Sequence, residues 1–188
     1  MNLRFPASVG AALIIGAALT LAASREIHAG NRSWFAQRPV LSPHETHEFD
    51  AGGCHVTINY GRPSKRGRVI WGSLVRWDHW WMPGADQATI ITTSKPIAFK
   101  GLEVPAGDHT LYVLPAEAAS DLVINNQVGQ FHTQYDPSRN LGTVRLVMAK
   151  LPSPVEQMTI TVEPDGASGG RLVLSWDDRA YSASFVVR

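Results

Sequence analysis

Apolar and polar positions alternate with a period of two through most of the chain beyond Cys54. Val56, Ile58 and Tyr60 interleave with Thr57 and Asn59, and Leu111 and Val113 with Tyr112 and Leu114. Leu122 and Ile124 flank Val123, and Val144, Leu146 and Met148 interleave with Arg145 and Val147. Met158, Ile160 and Val162 alternate with Thr159 and Thr161, and Leu172, Leu174 and Trp176 with Val173 and Ser175, before Tyr181 to Val187 closes the series. Successive side chains of a strand point to opposite faces, so short alternating runs rich in β-branched and aromatic residues predict strands with one buried face. The separators carry turn chemistry: Pro105-Ala106-Gly107-Asp108, Asn125-Asn126-Gln127, Pro137-Ser138-Arg139-Asn140, Pro164-Asp165-Gly166 and Asp177-Asp178. No run outside the N-terminus sustains a helical period. About nine or ten strands at this spacing predict an all-β single domain, an antiparallel β-sandwich or a jelly-roll-like barrel.

The N-terminus breaks this pattern. Arg4 precedes an apolar and small-residue run from Ala7 to Ala23, with Ala22-Ala23-Ser24 at its end. This is the layout of an export signal, and its length also suits a retained membrane anchor. The expected organisation is a signal peptide or N-terminal anchor over 1–24, a polar tether over 25–40, and the β domain over 41–188. The expected location is exported, periplasmic or membrane-anchored facing the periplasm.

Charge narrows the partners. Loss of residues 1–24 would remove one of the 17 cations, Arg4, and none of the 16 anions. A neutral remainder argues against nucleic acid, which demands a broadly basic domain. The expected partner is a small ligand or an envelope protein. Cys54 is the only cysteine, so no intrachain disulfide forms and burial must carry stability. Its place in a strand pattern suits a small buried hydrophobe, with a redox or metal role as the alternative.

The stretch Tyr60 to Thr89, YGRPSKRGRVIWGSLVRWDHWWMPGADQAT, concentrates the chemistry. Arg62, Lys65, Arg66 and Arg68 crowd its start, and Trp71, Trp77, Trp80 and Trp81 follow. Guanidinium donors beside rigid aromatic faces suit an anionic or ring-shaped ligand. In that reading Arg62 and Arg68 grip a carboxylate, phosphate or sulfate, Trp71 or Trp81 forms an apolar wall, and Asp86 and Tyr135 supply an acceptor and a hydroxyl. In the competing reading the same arginines tie loops to carbonyls and to carboxylates such as Asp86, Asp136 and Glu156, while Trp71 and Trp81 fill the core. Trp77 and Trp80 suit an exposed, membrane-interface or core position.

The order of motifs resembles the DUF2911 family. YGRP (Tyr60 to Pro63), GR (Gly67-Arg68), IWG-LV (Ile70 to Val75) and W--GAD-AT (Trp81 to Thr89) carry the likeness. It extends through SPHET (Ser42 to Thr46), VPAGDHTLYVLP (Val104 to Pro115), GQFHTQYD (Gly129 to Asp136) and KLPSPVEQMTI (Lys150 to Ile160), so that it covers roughly Leu41 to Val187. Two positions depart from the family's usual Trp-Arg…Gly-Ala-Asn: Met82 stands at the Arg and Asp86 at the Asn. The resemblance implies a bacterial envelope domain and no particular reaction.

Other chemistry finds little support. There is no nucleophile elbow, Walker loop or dinucleotide fingerprint. His44, His47 and His55 are the candidate metal ligands, yet on an extended segment His44 and His47 face opposite sides. No cofactor is expected. The expected function is a non-enzymatic exported module that binds a small anionic or glycan-like ligand. The alternatives are a hydrolase or isomerase using His79 or His132 with Asp86 as acid and base, and a protein-interaction module of the cell envelope.

Overall fold

The structure, a computed structural model, describes residues 42–188. The export segment or anchor (1–24) and the tether (25–40) expected from the sequence lie outside the described residues.

Ten strands build two antiparallel sheets. They are β1 (His44–Ala51), β2 (Cys54–Gly61), β3 (Ile90–Thr93), β4 (Ile97–Phe99), β5 (Leu102–Val104), β6 (Gly107–Leu114), β7 (Asp121–Asn125), β8 (Asn140–Arg145), β9 (Val147–Pro164) and β10 (Gly169–Val187). One sheet has the order β1-β2-β3-β6-β7-β8 and the other β5-β4-β10-β9. The predicted all-β sandwich is therefore what forms. The alternating apolar positions of β2, β6, β7 and β8 meet those of β4, β9 and β10 in one core, with Val56, Ile58, Tyr60, Met158 and Trp176 among its most deeply buried members. Cys54 is buried in it and unpaired. Tyr112 and Val123 point the other way, to a smaller cluster with Met82 and Ala88 on the outer face of the first sheet.

Four segments differ from the alternation read along the sequence. His44 to Asp50, which carries no apolar alternation, is nevertheless a strand. Its outward positions are all polar and Phe49 is its one large apolar side chain, so a half-buried edge strand is easily mistaken for a loop. Its hairpin to β2 turns on Gly52 and Gly53, both with positive φ (58° and 75°), the conformation a two-residue connection needs and that glycine adopts without strain. Val144 to Met148 is not one strand: the chain leaves the first sheet at Leu146, whose N–H bonds Ser120 O at 2.9 Å, and enters the second as β9. β9 runs unbroken through Pro152 and Pro154, which an edge strand tolerates because one row of its N–H groups has no ladder partner. Asp177 and Asp178 do not separate two strands; β10 passes through them with shifts of register between Ser175 and Arg179, a β-bulge with Asp177 at φ 51°. Among the described residues no helix is long and apolar enough to cross a membrane.

Candidate functional site

Residues 62–89 connect β2 to β3 with little regular structure, a length uncommon for a loop inside a compact domain unless it has work to do. The loop is nevertheless pinned throughout. Gly61 starts it in close contact with the Ala85 backbone: a Cβ there would lie 2.3 Å from Ala85 O. Met158 N–H donates to Pro63 O at 2.9 Å and Lys65 N–H to Glu156 O at 2.7 Å, so Ser64 and its neighbours pair with the outer edge of β9. Lys65 reaches across to the bulge and pairs with Asp177. Further along, Trp81 exchanges both backbone hydrogen bonds with Val113 of β6, at 2.8 and 2.7 Å.

Arg62 is a tie rather than a grip. Its guanidinium donates to Met158 O (3.2 Å), Glu45 Oε2 (2.7 Å) and Thr159 Oγ1 (2.9 Å), which joins β1, β2 and β9. Its acceptors are these rather than Asp86, Asp136 or Glu156. Glu45 Oε2 also accepts from His47 Nε2 at 2.8 Å. The Arg62 hydrogen bond, with that of His47 second, holds the Glu45 carboxyl below its ordinary value of 4.5. A depressed folded value stabilises the fold above the unfolded value, and that contribution disappears as pH falls through the folded one. Acid titration below about pH 4.5 should therefore destabilise the native protein more than Glu45→Gln, whose melts should lose part of that slope. The effect should be small, since the Glu45 side chain is 36% exposed. Equal acid slopes in both proteins would remove Glu45 from the account.

Trp71, Trp77 and Trp81 assemble around the bulge of β10. Trp81 stacks on Trp176 with centroids 6.1 Å apart and an interplanar angle of 15°. Trp71 meets Trp81 edge-on at 6.0 Å and Tyr181 at 5.0 Å, and its Nε1–H donates to Trp176 O at 3.2 Å. Trp77 stacks on Trp71 at 6.3 Å and carries the Arg179 guanidinium 5.0 Å above its ring. Such pairs gain beyond their buried area, so this cluster holds the loop to the second sheet.

Above the Trp81–Trp176 pair lies a cavity of about 360 Å³, lined also by Ser42, Pro63, Ser64, Arg66, Arg68 and His132. Arg68 is exposed, yet its plane is fixed: Nε–H donates to Lys65 O at 2.9 Å and Nη2 to Ser64 O at 2.6 Å. Its Nη1 meets no acceptor among the described residues. His132 is oriented through Nδ1, which donates to Asp86 O at 3.0 Å, while its backbone N–H bonds the same carbonyl at 2.9 Å. Asp86 thus acts through its backbone, at φ 65°, and its carboxylate is exposed.

Of the six ligand-binding candidates, Arg68 and Trp81 line the cavity and Asp86 stands behind it through His132. Arg62 and Trp71 support its walls from outside. Tyr135 is elsewhere: it packs on Tyr112 at 4.6 Å and Trp80 at 5.1 Å over the outer face of the first sheet, and its hydroxyl accepts from Asn140 at 2.8 Å. Met82, at the position where the family pattern has arginine, is buried in that outer cluster. Neither histidine of the acid–base alternative bonds the Asp86 carboxylate, for His79 Nδ1 donates to Trp77 O at 2.8 Å. Asp136 caps the short turn Pro137–Arg139 by accepting from Ser138 N at 3.0 Å. His47 bonds Glu45 inside the sheet, His55 bonds Asp50 at 3.1 Å on its outer side, and His44 stands at the far end of the hairpin. Among the described residues no three His, Cys, Asp or Glu side chains gather as a metal site.

Trp176 and Ser64 were not legible as site residues. Trp176 sits at an apolar position of a strand, so its alternation marks it as core. The loop meets this strand at the bulge, where Lys65 pairs with Asp177, and through Trp71 and Trp81 on Trp176; the adjacent acidic pair was the one sequence signal of the bulge.

The family model described as "Protein of unknown function (DUF2911)" matches residues 42–185, and the chain belongs to that family. No curated protein and no solved structure matches it.

Proposed function

We propose that this member of the DUF2911 family is a non-enzymatic binding module that holds a small anionic or glycan-like ligand in the cavity over Trp81 and Trp176. The observation that carries the reading is the combination in one concavity of an aromatic wall, a fixed guanidinium and a histidine fixed through Nδ1. Its volume of about 360 Å³ lies within the range of small-molecule sites. The apolar run Ala7 to Ala23 supports an exported, envelope location, in the periplasm or anchored at the membrane facing it. The acid–base alternative has less support, because both histidines spend Nδ1 on backbone carbonyls. A protein-interaction role draws on one observation, the exposure of Leu74 (46%) and Trp80 (41%) beside Arg76 and His79 in a second, more open concavity.

Calorimetric titration of the whole protein with sugars, carboxylates, phosphates and short peptides tests the cavity. A ligand should bind, and Arg68→Lys should weaken it about tenfold or more, because lysine cannot reproduce the planar fork. The same substitution should change stability by less than about 0.5 kcal/mol, since Arg68 is exposed. Binding that ignores both Arg68→Lys and Trp81→Phe would place the site elsewhere.

A further inference from the structure

Resting on that binding reading, we infer that the ligand is a carboxylated sugar ring, of the uronic-acid kind. Three features of the cavity converge on it.

The first is charge. Arg68 puts a formal positive charge into the lining, and among the described residues no Asp or Glu lines it. An anion is therefore favoured over a neutral or cationic guest. Arg68 has its plane set by two backbone carbonyls, and Nη1 remains for a guest. A guanidinium whose orientation is already set loses little freedom on binding, and its Nη1 can donate a charge-assisted hydrogen bond to a carboxylate.

The second is the aromatic wall. A bare inorganic anion has no use for the Trp81 indole, which the buried Trp176 ring backs from beneath. A guest with a flat apolar face does, and the C–H face of a pyranose meets the negative face of an aromatic ring favourably. The indoles are held by their own stacking and by the edge of Trp71, so the wall exists before the guest arrives.

The third is the polar rim. His132 has Nδ1 on Asp86 O, which leaves Nε2 as the ring's remaining hydrogen-bonding atom. Ser42 and Ser64 add hydroxyls. An aromatic carboxylate would leave these groups without partners, whereas a sugar carries hydroxyls that both donate and accept. A volume of about 360 Å³ accommodates a sugar ring, which suits either a free acid or the terminal residue of a glycan.

The test is calorimetry on the whole protein with glucuronate and galacturonate, against glucose, galactose, benzoate, acetate and inorganic phosphate. A uronate should bind at least about tenfold more tightly than its neutral parent, the gain expected of a charge-assisted hydrogen bond. Arg68→Gln should bring the uronate down to the level of the neutral sugar, with a melt close to that of the natural protein. Neutral sugars, benzoate or phosphate binding as tightly as the uronates would overturn the inference and leave the cavity reading standing. So would uronate binding indifferent to Arg68→Gln. Failure of every sugar, carboxylate, phosphate and peptide to bind would instead overturn the cavity reading itself. A uronate-terminated disaccharide separates the two sources: tighter binding than the monosaccharide assigns a glycan end, and equal or weaker binding assigns the free acid.

Discussion

Trp176→Ala should lower the unfolding free energy by about 3–5 kcal/mol, the range for deleting a large buried aromatic. Trp176 is 1% exposed and touches three parts of the molecule at once. Its ring stacks on Trp81, its Nε1–H donates to Glu156 O at 3.2 Å, and its own carbonyl accepts from Trp71 Nε1. Deleting the indole opens a void under the cavity, removes one of the two donors to Glu156 O, leaving Lys65 N–H, and takes the support from under Trp81. Trp176→Phe retains much of the packing and loses the hydrogen bond, so it should cost about 1–2 kcal/mol. Denaturant unfolding of both variants measures the difference. A loss under about 1 kcal/mol for the alanine variant would mean that the aromatic cluster is an ornament on the sandwich and not part of its core.

Arg62→Lys should cost about 2–3 kcal/mol, although charge is conserved. Arg62 is 16% exposed and satisfies a carboxylate, a carbonyl and a hydroxyl with three separate nitrogens. A lysine ammonium is compact and cannot span these acceptors, so at least one is left buried and unpaired. Arg68, six positions along the same loop, answers only to carbonyls of its own turn. Parallel urea melts should therefore separate the two arginines cleanly. Equal losses would mean that both are structural ties, and the cavity would then lack its cationic edge.

That contrast shows where sequence reading ends. The sandwich was legible because β2, β6, β7 and β10 each alternate over enough positions to declare a buried face. β1 was not, since its outward side chains are polar and it contributes one large apolar residue. β9 was legible only over Met158 to Val162, since Pro152 and Pro154 conceal its first half unless one knows that the strand lies at an edge. For the site, glycine, proline, arginine and tryptophan together marked the loop, and Arg68 and Trp81 do line its cavity. Nothing local distinguishes Arg62 from Arg68, because the difference lies in Glu45 and Thr159, brought to one of them by pairing across distant strands. Tyr135 was misassociated for a related reason. Tyr112, on which it packs, belongs to the face of β6 that looks away from the core, and the alternation assigned that face to solvent rather than to a second, smaller cluster.

The loop of residues 62–89 is hydrogen-bonded at Pro63 and Lys65 to one sheet and at Trp81 to the other. It is therefore a clasp across the open end of the sandwich, and the cavity is the space inside the clasp. Two sheets joined only by packing can slide past each other by small shears; these two cannot do so here without breaking strand-like backbone bonds. The ordering entropy of the cavity wall is then met when the chain folds. On the proposed binding reading, a guest would meet a shape with the stiffness of the whole domain and would be discriminated mainly by how fast it leaves.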